Sequence, residues 1–151
     1  AAVAGRDYND VDISDRSLWQ YYLPPFKAAV DAGVASVMTA FNDINGIPAT
    51  GNRYLLQTVL NQYWHFTGLV VSDWGSVGGM TAHGFTADDE AAAKAAIEAG
   101  CHMDMESRAY KKYLVKLVNE KKLNTRYIDD AVKRVLRKKF ELGLFDDPFK
   151  F

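Results

Sequence analysis

Residues 27–41 read KAAVDAGVASVMTAF, and their reading decides the fold. KAAVDAG ends a helix on Gly33, a residue suited to the left-handed turn that stops one. VASVMTAF, residues 34–41, is apolar nearly throughout and too short for a helix, which predicts a buried strand. The same phrase returns as KAAIEAG at 94–100 and runs into CHMDM at 101–105, a weaker strand. A helix that stops on glycine and feeds a strand, written twice, predicts repeated β/α units with parallel strands.

Working outward, NDINGIPATGN (42–52) reads as a loop that leads into the helix RYLLQTVLNQYW (53–64). Its Leu55, Leu56, Val59, Leu60 and Tyr63 share one stripe. LVVSD (69–73) is a second buried strand, and WGSVGGMTAHGF (74–85) reads as a long loop. Thr86 with Asp89 three residues later resembles a capping box for the helix 87–100. Upstream, residues 17–33 form a helix with Pro24 and Pro25 placed at its first turn. Two further helices cover 107–122 and 125–142, the last one stopped by Gly143. The order is α-β-α-β-α-β-α-α. A closed (β/α)8 barrel takes about 250 residues. Three strands make part of such a barrel, about half of one, or a small open α/β sheet.

The bulk properties narrow the function classes. With 151 residues the chain has the length of one domain. Hydrophobic residues at 48% and charged ones at 25% fit a globular chain. Eighteen Lys and Arg against 19 Asp and Glu leave a net charge of −1. Such balance argues against a nucleic-acid partner, which calls for a basic stripe. No apolar run reaches the roughly 20 residues that span a bilayer, so no membrane partner is expected. The polar first dozen residues do not read as a signal peptide. One cysteine, Cys101, rules out an internal disulfide. An aromatic content of 13% is compatible with core filling and with stacking on sugars.

The chemistry concentrates in GLVVSDWGSV, residues 68–77. In parallel α/β folds the carboxyl ends of the strands form the active face. Asp73 ends the second strand there, where an aspartate either caps a loop or works on a ligand. Trp74 sets a flat apolar face beside it, and Gly75, Gly78 and Gly79 let backbone approach a ligand. Phe41 and Asn42 end the first strand, and Met105 and Glu106 the third. A carboxylate, an aromatic, an amide and a thioether around one mouth suit a polar, ring-shaped ligand. His65, His83 and His102 are scattered without zinc-site spacing, and His83 reads as a loop histidine. No phosphate loop and no G-x-S-x-G elbow is present. Neither a metal nor a cofactor is expected.

GLVVSDWGSV resembles the nucleophile segment of glycoside hydrolase family 3, which includes the β-glucosidases. Two more segments carry the likeness in the family's order. YYLPPFKAAVDAGVASVMTAFNDINGIPAT (21–50) resembles its proline, lysine and glycine-capped helix with the strand and N-G-x-P loop that follow. DDAVKRVLRKKFELGLFDDPF (129–149) resembles the helix that closes its barrel domain. The resemblance covers nearly the whole chain. It implies a partial (β/α)8 TIM-type barrel, residues 1–151 being the second half of the N-terminal barrel domain, with the second domain absent. It further implies a retaining exo-β-glucosidase that releases glucose from the non-reducing ends of β-glucosides. Asp73 would be the nucleophile, and Trp74 would border the aglycone subsite. Phe41 would stand beside the nucleophile where the family often has tyrosine, Met105 would line the glycone pocket, and Asp7 would support the sugar-gripping residues. The Lys-His pair of the family would precede Ala1, and its acid/base glutamate would follow Phe151. Family members are often periplasmic or secreted.

Retaining chemistry needs two carboxyl groups about 5–5.5 Å apart, and only Asp73 is assigned here. Asp104 and Glu106 stand near the mouth by strand order, as structural acids or as its partner. The partners expected are a β-glucoside or oligosaccharide substrate and, through exposed sheet edges, a second copy. A non-catalytic half-barrel that binds sugar or self-associates is the alternative. A signalling receiver domain, which also ends a strand on an aspartate, lacks its acidic pair and its lysine here.

Overall fold

A computed structural model describes residues 2–149. The fold is α/β, built on a parallel pair of strands. Strand β1 (Ser36–Met38) lies beside β4 (Leu69–Val71), with Val37 opposite Val70. Between them the chain folds a small antiparallel hairpin, β2 (Asp43–Ile44) and β3 (Ile47–Pro48). The loop expected at 42–52 therefore has structure of its own, in strands too short for any periodicity to announce.

The segment 101–105 joins β4 through a single bridge, Val71 to Met103, rather than as a regular third strand. Side chains replace part of the ladder. The Val70 amide donates to Nδ1 of His102 at 3.0 Å, and the Met105 amide donates to Oγ of Ser72 at 2.8 Å. Backbone hydrogen bonds remain between Ser72 and Met103 and between Met103 and Val70.

Helix α1 (Asp15–Ser17) continues through a wide π-type turn, Leu18–Tyr22, into α2 (Leu23–Asp31). The prolines sit in the first turn of α2, as expected, with the helical run continuing ahead of them to Asp15. Proline offers no amide to the carbonyl one turn back, and the wider turn ahead of Pro24 and Pro25 accommodates that loss. Residues Tyr54–Tyr63 are also π-type, and the Asn52 side chain accepts the Leu55 amide at 3.1 Å to start them. The expected loop 74–85 contains a helix, α3 (Ser76–Ala82), whose Val77 and Met80 are buried. Burial of that face outweighs the helix-weakening Gly78 and Gly79.

Helix α4 (Asp89–Ala99) starts at Asp88, which accepts the Ala91 amide, so Thr86 is not its cap. Helices α5 (Ala109–Asn119) and α6 (Thr125–Glu141) complete the chain. Gly33 and Gly100, the two ends of the repeated phrase, have φ of 83° and 103°, as a glycine stop requires.

The core lies where α3, α4 and α5 pack on one another, with α6 against β4. Val70, Val77, Ala92, Ala93, Ala96, Ala99 and Cys101 are fully buried. Alanines on α4 let α3 and α5 pack closely against that helix. Arg134 of α6 stitches the approach to β4: it donates to the carbonyl oxygens of Gly68 at 2.8 Å and Phe66 at 3.3 Å, and pairs with Asp130. Gly68 has no room for a side chain, since a Cβ there would sit 2.3 Å from Cζ of Phe66 and 2.5 Å from the Ala35 carbonyl. On the far side of β1, Ser36 and Met38 are exposed. A broad apolar groove of about 500 Å³ opens there, walled by Leu23, Val30, Val37, Leu60 and Trp64.

Candidate active site

Strand β4 delivers Ser72 and Asp73 to the carboxyl end of the parallel pair. Ser72 is fully buried, while Asp73 is half-buried. Its Oδ1 accepts the Trp74 amide at 2.6 Å, and its carbonyl accepts the Ser76 amide at 3.1 Å to start α3. Among the described residues no lysine or arginine forms an ion pair with Asp73. The carboxylate is therefore held, among the described residues, by backbone through Oδ1.

Trp74, 66% exposed, projects beside it. Met105 is tied to the same corner, for its carbonyl accepts the Gly75 amide at 2.9 Å. Phe41 closes the opposite side of a small cavity of about 110 Å³ that it shares with Tyr8, Pro48, Trp74 and His83. Tyr8 packs against Phe41 with ring centroids 4.6 Å apart and the planes tilted by 41°. Four expected residues, Asp73, Trp74, Phe41 and Met105, thus gather at one end of the strands.

Asp7 is placed differently. It is exposed and lines the large apolar groove, while its neighbour Tyr8 reaches the aromatic cavity. Tyr8 and His83 were not legible as site residues. Tyr8 lies in a stretch with no periodicity, and the partner of His83 is Asp43, 40 positions away in the chain.

The remaining acids near the mouth have structural duties or none. Oδ2 of Asp104 accepts the Tyr110 amide at 3.1 Å and so caps the start of α5. Glu106 is exposed, with a left-handed φ of 75°. Burial pushes the Cys101 thiol up to about 12 and keeps it inert, and the Tyr110 hydroxyl donates to the Cys101 carbonyl at 2.6 Å. His102 is brought down to about 4, chiefly by burial and then by the Arg134 cation.

The Glycosyl hydrolase family 3 N terminal domain model matches residues 1–138. A periplasmic β-glucosidase of Salmonella typhimurium is 43% identical over 149 residues, which are 99% of this chain and 20% of that protein. A putative β-xylosidase of Formosa agariphila is 38% identical over 149 residues, covering 97% of this chain and 20% of the relative. The crystal structure of a Listeria innocua β-glucosidase with glucose superposes with a TM-score of 0.96 at 44% identity, over 98% of this chain and 20% of that one. A mutant of the same Listeria enzyme has been solved with laminaribiose. The chain spans about a fifth of the length of these relatives. No described helix is long and apolar enough to cross a membrane. The chain belongs to glycosyl hydrolase family 3, within its N-terminal domain.

Proposed function

We propose that this chain is the second half of the (β/α)8 barrel domain of a retaining exo-β-glucosidase, with Asp73 as its nucleophile. The observation that carries the reading is the half-buried carboxylate at the end of β4, set by the Trp74 amide at 2.6 Å, with the exposed Trp74 next in the chain. An oxygen of Asp73 attacks the anomeric carbon, and the bond from that carbon to the glycosidic oxygen breaks. The departing oxygen takes a proton from a general acid, which the family resemblance locates in the second domain. Water then attacks the glycosyl ester, the same group acts as base, and β-glucose leaves with Asp73 restored.

Trp74 borders the aglycone, Met105 lines the glycone side, and Phe41 packs beside the nucleophile without offering it a hydroxyl. Asp7 supports the sugar-gripping residues from the N-terminal arm. Glucosides are favoured over xylosides because the β-glucosidase relatives reach 43–44% identity against 38% for the β-xylosidase. The name of the Salmonella relative supports export to the periplasm.

Asp73→Asn in the intact protein tests the reading. Turnover of nitrophenyl glucoside is expected to fall by several orders of magnitude while substrate still binds. Undiminished turnover would refute the role of Asp73.

A second reading, a non-catalytic half-barrel that binds sugar or self-associates, is favoured by the exposed outer edge of β1, where Met38 is 49% accessible.

A further inference from the structure

The cavity beside Trp74 is built from three separate stretches of chain, and one side-chain contact joins two of them. Tyr8 comes from the N-terminal arm, Phe41 and Pro48 from the ends of β1 and β3, and Gly79 and His83 from α3 and its C-terminus. His83 Nδ1 lies 2.8 Å from Oδ1 of Asp43. A carboxylate only accepts, so the ring proton sits on Nδ1 and is donated to Asp43. Both side chains are well shielded, at 19% and 16% exposure, which favours the hydrogen bond over its replacement by water. Asp43 also holds the arm: its carbonyl accepts the Val11 amide at 2.7 Å, and the neighbouring Asn42 side chain donates to the Asn9 carbonyl at 2.9 Å. The pair therefore fixes the arm and hairpin against the far end of the helix whose near end carries Trp74.

We infer that the His83–Asp43 pair is a positioning device that sets the width of the aromatic cavity, and that the cavity selects glucosides with a small, flat aglycone. The inference rests on the proposed reading of Asp73 and Trp74. At about 110 Å³ the space approaches the ~150 Å³ that holds benzene in an apolar protein cavity. Its rings offer faces for stacking. Gly79 leaves part of it empty, for a Cβ built there meets nothing within 4 Å.

The test is calorimetric binding of phenyl and methyl 1-thio-β-glucoside, neither of which is hydrolysed, to the intact protein. His83→Ala is expected to weaken the phenyl compound roughly tenfold, the loss of about one hydrogen bond's worth of ordering, and the methyl compound less than twofold. His83→Asn, whose amide can donate from the place of Nδ1, recovers most of the loss. Gly79→Leu, which fills the space one turn before His83 while leaving the His83–Asp43 groups in place and suits a helix, shows the same selectivity against phenyl. Equal losses for both ligands, no loss for either, or no binding of either to the unmodified protein overturns the inference. Hydrolysis of nitrophenyl glucoside by Asp73→Asn, measured beside this binding assay, separates the two readings. If hydrolysis survives that change while the phenyl selectivity stands, the nucleophile assignment falls and the cavity assignment remains.

Discussion

At the 101–105 segment the Val70 amide finds an imidazole nitrogen, His102 Nδ1, as its acceptor at 3.0 Å. That bond requires a neutral ring with its proton on Nε2, which faces Oδ2 of Asp130 at 3.5 Å. Protonating the ring turns Nδ1 into a donor aimed at another donor. The ring's pKa of about 4 in the fold lies below its ordinary 6.5. The unfolded chain therefore binds the extra proton first, and stability drops as pH falls from 6.5 towards 4, then levels. The loss amounts to about 3 kcal/mol at most. Urea unfolding of the chain and of His102→Asn across this range measures it. The stability gap between the two is expected to narrow as pH falls, and a constant gap would contradict the account. Asp73 contrasts with His102: its acceptor Oδ1 is occupied by the next amide, and nothing in the described fold demands its charge elsewhere.

Among the elements, β4 was legible because LVV is a continuous apolar run and Val70 is covered on both faces. Helix α3 was not legible. SVGGMTA has the composition of a loop, and it is helical because Val77 and Met80 must be buried against the core. The hairpin was invisible because two-residue strands carry no period. Strand order alone set Phe41, Asp73, Trp74 and Met105 toward one end of the strands, while the placement of Tyr8 and His83 depends on long-range contacts that no local pattern encodes. Two glycines separate packing from propensity. Gly68→Ala would press a methyl into Phe66 and the Ala35 carbonyl and is expected to cost about 1–3 kcal/mol. Gly79→Ala, in a helix with open space, is expected to gain up to about 1 kcal/mol. Thermal unfolding of the two variants checks this; a reversed order would mean that α3 packs differently.

On the scale of the molecule, the covered and uncovered faces divide sharply. Helix α6 packs on β4, while β1 presents Met38 and the 500 Å³ apolar groove. Exposed strand edges and apolar grooves call for cover. The half-barrel reading assigns that cover to the remaining barrel strands of a longer protein, and the alternative assigns it to a second copy. Light scattering on the 151-residue chain alone tests whether this face is uncovered: under either reading a mass above 16.9 kDa is expected. A monodisperse monomer that binds no hydrophobic dye would show that the groove needs no partner.

The nucleophile assignment carries the rest, and trapping tests it most directly. The intact protein, treated with a 2-deoxy-2-fluoro-β-glucosyl inactivator and digested, should yield one glycosylated peptide, GLVVSDWGSV or a fragment of it, with the sugar on Asp73. A sugar ester on any other carboxylate, or inactivation unaltered by Asp73→Asn, would contradict the account.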